Sequence, residues 1–165
     1  MTAALFSAVA AVVGLLENLL PLEWLLPLPG VKLGTANIVV AAAYSLLGPF
    51  YALGVMLCRT LLVFFFSGNP VSFALSLGGS LLSFAGLCIG MRQKGKKLSY
   101  IGVSALSAAC HGLGQLTAAS LFTGISVFSY LPLLGAACTV TGALCGILMN
   151  LFLDRIVKEG ERHAS

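Results

Sequence analysis

The sequence predicts an all-α integral membrane bundle of six transmembrane helices, and three observations predict it. Of 165 residues, 59% are hydrophobic and 8% charged, with a mean hydropathy of +1.04, a balance that excludes an ordinary soluble globule. Prolines, glycines and polar turns cut the chain into apolar pieces close to the roughly 20 helical residues that cross a bilayer core. Charge collects at the ends of those pieces: outside the segment 92–98 and the tail 154–165, the charged side chains are Glu17, Glu23, Lys32 and Arg59.

The length suits one domain over residues 1–165. The first span covers about 3–20 and stops at Pro21. A short second span covers about 37–47, ending where Gly48-Pro49 breaks the chain. The third runs over about 49–66 to the strong turn signal Ser67-Gly68-Asn69-Pro70, and the fourth over about 71–91. A basic loop, 92–98, precedes the fifth span at about 99–122; Thr123-Gly124 loosens the chain before the sixth at about 130–153, and a polar tail, 154–165, closes it. At 1.5 Å per residue, the second span cannot cross roughly 30 Å of hydrocarbon without help from the loop before it.

Basic residues near span ends set the orientation. Arg92, Lys94, Lys96 and Lys97 follow the fourth span, and Arg155, Lys158 and Arg162 follow the sixth, so both segments belong in the cytoplasm. Six spans then put both termini of this plasma-membrane protein inside and the loop before Asn37 outside. The formal charge of +4 sits in these two clusters rather than along one basic face, which argues against a nucleic-acid partner. No basic residue precedes Glu17, so the first segment reads as a retained span rather than a cleaved signal. Cys58, Cys88, Cys110, Cys138 and Cys145 lie in apolar runs without the close pairing of zinc or redox sites, and they read as small core residues.

The chain is organised around Pro27-Leu28-Pro29-Gly30-Val31-Lys32-Leu33-Gly34-Thr35-Ala36-Asn37. Its prolines and glycines favour a shaped loop, and Lys32 and Asn37 supply hydrogen bonds to whatever the loop encloses. Trp24, in the same outer segment, reads as interfacial anchor or as lid. Charge inside a span costs at least about 2.5 to 3.5 kcal/mol on insertion scales, so Arg59 and Glu17 are expected to face protein, water or ligand. Two readings stand for this pair: an ion pair fixing helix packing, or a ligand contact. On the fifth span Ser107, His111 and Gln115 recur every four residues and share one face pointing into the bundle. His111 either stitches helices together or contacts ligand, and Gln115 is the better contact. Ligand-binding candidates are therefore Glu17, Trp24, Lys32, Asn37, Arg59, His111 and Gln115. Small residues mark close helix approach: Gly86 with Gly90, Gly142 with Gly146, and a strip of Ala4, Ser7, Ala8 and Ala11 on the first span.

The run Leu47-Gly48-Pro49-Phe50-Tyr51-Ala52-Leu53-Gly54, after a Pro/Gly-rich loop, resembles the S components of energy-coupling factor (ECF) vitamin transporters. More narrowly, Pro29-Gly30-Val31-Lys32-Leu33-Gly34-Thr35-Ala36-Asn37-Ile38 looks like the signature of the family called heptaprenyl diphosphate synthase component I, or Gx transporters. The S-component resemblance implies a small vitamin-like or cofactor-precursor ligand captured in the outer half of the bundle. It also implies a coupling subunit that docks on Ala4, Ala8 and Ala11, with ATPases behind it. The chain itself has no Gly-x-x-x-x-Gly-Lys-Ser/Thr loop, so if transport is active its energy must come from partners. The synthase name implies magnesium held by clustered carboxylates. The single aspartate is Asp154, in the tail, and no carboxylates pair at helical spacing. The expectation is a non-enzyme without catalytic residues, metal or cofactor: the substrate-binding subunit of an ECF-type importer. The alternative is an accessory membrane protein of isoprenoid or quinone metabolism that binds a prenyl lipid or quinone.

Overall fold

The computed structural model describes residues 1–19, 35–93, 98–123, 129 and 131–164, with side chains for all of these but 18, 19, 123, 131 and 152–164. Six helices follow in order: α1 Thr2–Leu19, α2 Asn37–Leu47, α3 Pro49–Ser67, α4 Pro70–Arg92, α5 Tyr100–Thr123 and α6 Leu131–Ala164. The fold class is all-α, as expected. Trp24 and Lys32 lie outside the described residues, as do Pro27 to Gly34 of the central loop.

The helix limits follow from local chemistry. Gly48 adopts φ 92°, which an L side chain resists, and Pro49 then starts α3 with a preset φ and no amide hydrogen to lose. Gly68, left-handed at φ 63°, stops α3. Asn69 caps α4: its side-chain oxygen accepts from the amides of Val71 and Ser72 at 3.0 and 3.1 Å, with Pro70 at the first helical position. Asn69→Ala is expected to cost about 1 kcal/mol, read as a modest fall in melting temperature in detergent. The segment read as a polar tail is helical, since α6 continues to Ala164.

Among the described residues, three helical stretches are long and apolar enough to cross a membrane: Pro49–Ser67, Pro70–Arg92 and Pro132–Leu151. Thr2–Glu17 and Asn37–Leu47 are shorter apolar helices. At 24 residues α5 has the length but is more polar, because Ser104, Ser107, His111 and Gln115 interrupt it. That polarity is sheltered: α5 packs between α4 and α6 and buries all but the first of those four. Large apolar side chains such as Phe50, Phe65, Phe66, Leu121 and Val140 stand exposed around the bundle. Apolar helices with such side chains turned outward are the surface of a multi-pass membrane protein.

Glycine sets the packing distance. A side chain at Gly114 would meet the Gly78 carbonyl and lie 2.8 Å from the Gly79 Cα, and one at Gly86 would lie 2.8 Å from the Cys110 sulfur. Gly142 faces Ala108 and Gly146 faces Ile101 on the other side of α5 in the same way. The pairs anticipated at 86/90 and 142/146 do permit close approach, whereas the tightest crossing, Gly78-Gly79 on Gly114, was not anticipated. Helix α1 runs alongside α3, with Gly14 giving room to Val63.

Among the described residues, two apolar clusters fill the interior. One gathers Ala10, Val40, Ala52, Met56, Leu87, Val103 and Met149; the other gathers Leu75, Leu116, Ala119, Leu134 and Cys138. The first lies toward the Gly48 turn, the second toward the Gly68 turn. The layer between them is polar.

Candidate functional site

Helix α2 is the reason the layer sits at mid-depth. Its 11 residues span about 16 Å, roughly half the hydrocarbon thickness. Asn37, its first residue, is therefore placed inside the bundle between α3 and α5. No side chain caps this helix start, and Asn37 turns instead to its neighbours. Its amide nitrogen lies 3.2 Å from His111 Nδ1, and its carbonyl oxygen accepts from the Arg59 guanidinium at 3.3 Å. The other arm of the fork donates to Ser80 Oγ on α4 at 3.0 Å. His111 Nε2 lies 3.0 Å from the Gln115 side-chain nitrogen. Gly79 makes this seat possible, because a side chain there would lie 2.8 Å from both the His111 ring and Gln115 Cγ.

Arg59 is thus the hub that joins α2, α3 and α4, and it is 94% buried, at 6% exposure. A guanidinium suits the position, since its planar fork bonds two partners in fixed directions. Glu17 on α1, also buried, accepts from the Thr35 amide at 3.3 Å and lines one small cavity together with Gly14, Arg59, Thr60, Val63 and Ser76. One step toward the Gly48 turn, Ser107 donates to the Ser83 carbonyl at 3.0 Å while the two hydroxyls lie 2.8 Å apart.

The structure thus brings together five of the seven ligand-binding candidates: Glu17, Asn37, Arg59, His111 and Gln115. The expected inward stripe of Ser107, His111 and Gln115 is buried on one face of α5. What sequence reading missed is the partner stripe on α4, where Ser72, Ser76, Ser80 and Ser83 are all buried. Their spacing of four, four and three was the available signal, and serine's modest polarity hid it inside an apolar helix. On α1, Ala4 and Ala8 are exposed, whereas Ala11 is buried and belongs to the interior rather than to the outward strip.

A separate recess of ≈ 630 Å³ opens between α1, α2 and α6, lined by Leu5, Phe6, Val9, Ile38, Leu148 and Met149 among others, almost wholly apolar.

The sequence profile of the heptaprenyl diphosphate synthase component I family matches residues 6–152, nearly the whole chain. The chain belongs to that family. No curated protein and no solved structure matched. The family description invokes a prenyl diphosphate synthase, and such chemistry uses magnesium held by grouped carboxylates. Among the described residues no three His, Cys, Asp or Glu side chains come close enough to share an ion. The polar layer is built instead from one guanidinium, one carboxylate, amides, an imidazole and hydroxyls. That donor set does not fit a magnesium–diphosphate centre.

Proposed function

We propose that this family member is a non-catalytic, ligand-binding membrane subunit whose site is the polar layer around Arg59. The observation that carries this reading is Ser76, whose hydroxyl is buried beside Arg59 and Glu17 without a hydrogen-bond partner among the described residues. Buried polar groups are ordinarily satisfied, and an orphan hydroxyl in an apolar bundle is a position that a water or a ligand group can fill. The reading that best joins this site to the sequence is the substrate-binding S component of an ECF-type importer. It would take up a vitamin-like or cofactor-precursor molecule, with energy supplied by a coupling subunit and ATPases.

The apolar recess between α1, α2 and α6, with the family description, favours a second reading. In it the protein holds a prenyl lipid or quinone as an accessory of isoprenoid metabolism. Mass spectrometry of small molecules co-purified with the protein separates the two. A water-soluble vitamin-like compound supports import, a prenylated lipid supports the accessory role, and the absence of any bound molecule counts against both.

Two further expectations follow from the import reading. The basic residues place Lys94 and the carboxy-terminal end of α6 in the cytoplasm and Pro29 outside. A cysteine introduced at position 94 should be shielded from impermeant reagent in intact cells, and its labelling from outside would reverse the topology. Ala4 and Ala8 offer a smooth exposed strip on α1. Replacing Ala4 by Trp should leave ligand binding unchanged and abolish co-purification of a coupling subunit, since close helix docking tolerates only small side chains. Retained co-purification would remove this strip from the interface.

A further inference from the structure

We infer that the cavity between Glu17, Arg59, Thr60 and Ser76 receives one uncharged hydroxyl group, so that the ligand of the polar layer is an alcohol rather than its phosphate or diphosphate ester. This rests on the reading of the layer as a ligand site and adds the chemical class.

Three features of the cavity carry it. The first is hydrogen-bond directionality. Thr60 Oγ1 donates to the Met56 carbonyl at 2.8 Å, so it offers the cavity only lone pairs. Two of the five guanidinium N–H groups of Arg59 go to Asn37 and Ser80, leaving donors. Ser76, 5% exposed, has both a donor and lone pairs and no partner among the described residues. Thr60, also buried, turns its hydroxyl back to the carbonyl four residues earlier, and Ser107 donates to the Ser83 carbonyl across the helix pair. A group that accepts from Ser76 or Arg59 and donates to Thr60 or Glu17 is a hydroxyl, because a carbonyl or phosphate oxygen only accepts and an ammonium only donates.

The second feature is size. The cavity holds about 10 Å³, room for one water-sized group, which is too little for a phosphate. The third is charge. Glu17 and Arg59 are formally neutral together, so an entering diphosphate would meet a carboxylate beside the guanidinium, in surroundings that include Gly14 and Val63.

Water supplies the same chemistry as a ligand hydroxyl, and the test separates the two. Geraniol and geranyl diphosphate, one isoprenoid body with either head, are titrated calorimetrically against the purified protein in detergent, using wild type, Ser76→Ala and Arg59→Lys. Geraniol is expected to bind at least tenfold more tightly than the diphosphate. Ser76→Ala is expected to weaken geraniol about tenfold, the loss of one hydrogen bond to a buried group, without lowering the ligand-free melting temperature.

Equal or tighter binding of the diphosphate overturns the inference. So does failure of geraniol to bind, which leaves the cavity to water alone, and so does a Ser76→Ala variant with unchanged affinity or a much lower melting temperature. Arg59→Lys distinguishes the levels: if it weakens the diphosphate and the diphosphate is preferred, the layer is a ligand site of another class. If it changes neither titration, the ligand-site reading itself fails.

Discussion

Arg59→Met is expected to lower the stability of the ligand-free protein by about 3–5 kcal/mol, seen as a steep fall in melting temperature in detergent. The cause is not the lost side-chain volume, which methionine largely replaces. It is what the guanidinium leaves behind: the Asn37 carbonyl oxygen and Ser80 lose their donor, and the buried Glu17 carboxylate loses the guanidinium that shares its cavity. Removing one member of a buried pair costs far more than the pair contributes, because the survivor keeps its desolvation penalty. The double variant Glu17→Gln/Arg59→Met should therefore recover part of the loss, a non-additivity that a double-mutant cycle in melting experiments measures. Additive losses would show that Glu17 and Arg59 act independently.

Gly114→Ala is expected to be the most damaging single methyl addition in the bundle, at about 3 kcal/mol or with failure to recover folded protein. Its new methyl would meet the backbone of Gly78 and Gly79, and backbone cannot rotate aside as a side chain does. The crossing of α4 on α5 must widen, and overpacking of this kind costs typically 1–3 kcal/mol and sometimes more. His111 and Gln115 flank Gly114 on the same helix and are seated on Gly79, so widening also disturbs the polar layer. Gly54→Ala is the control, since a methyl there touches nothing within 4 Å. Helix propensity alone then operates, and the change should be neutral or stabilising by up to about 1 kcal/mol. Comparable losses in the two variants would mean that the α4–α5 crossing is looser than described.

The helices were legible because their signals are local. Gly48-Pro49 and Ser67-Gly68-Asn69-Pro70 carry their own backbone instructions, and the breaks fall there. The burial of Ser107, His111 and Gln115 was legible because a spacing of four on an apolar helix admits one interpretation. Who bonds to whom was not. The Asn37 amide meeting both His111 and Arg59 depends on α2 starting at mid-depth, which is a tertiary fact that no local pattern encodes. Glu17 and Arg59 line one small cavity, but the described hydrogen-bond partners of Arg59 are Asn37 and Ser80, which no spacing in the sequence indicated. Gly78 and Gly79 escaped notice because adjacent glycines read as helix weakness until the facing Gly114 is known.

The central claim, that the layer around Arg59 holds a ligand, is tested most directly by Arg59→Lys. Lysine keeps the charge beside Glu17 but not the fork that reaches Asn37 and Ser80 in fixed directions. Wild type and variant are purified in parallel, and the small molecule that each retains is quantified by native mass spectrometry alongside melting temperature. Wild type should retain a bound molecule near one per chain and the variant at least tenfold less, with the ligand-free forms melting within a few degrees of each other. Equal retention in both, or a variant that melts far lower while binding as before, would contradict the account and leave Arg59 as a strut between helices.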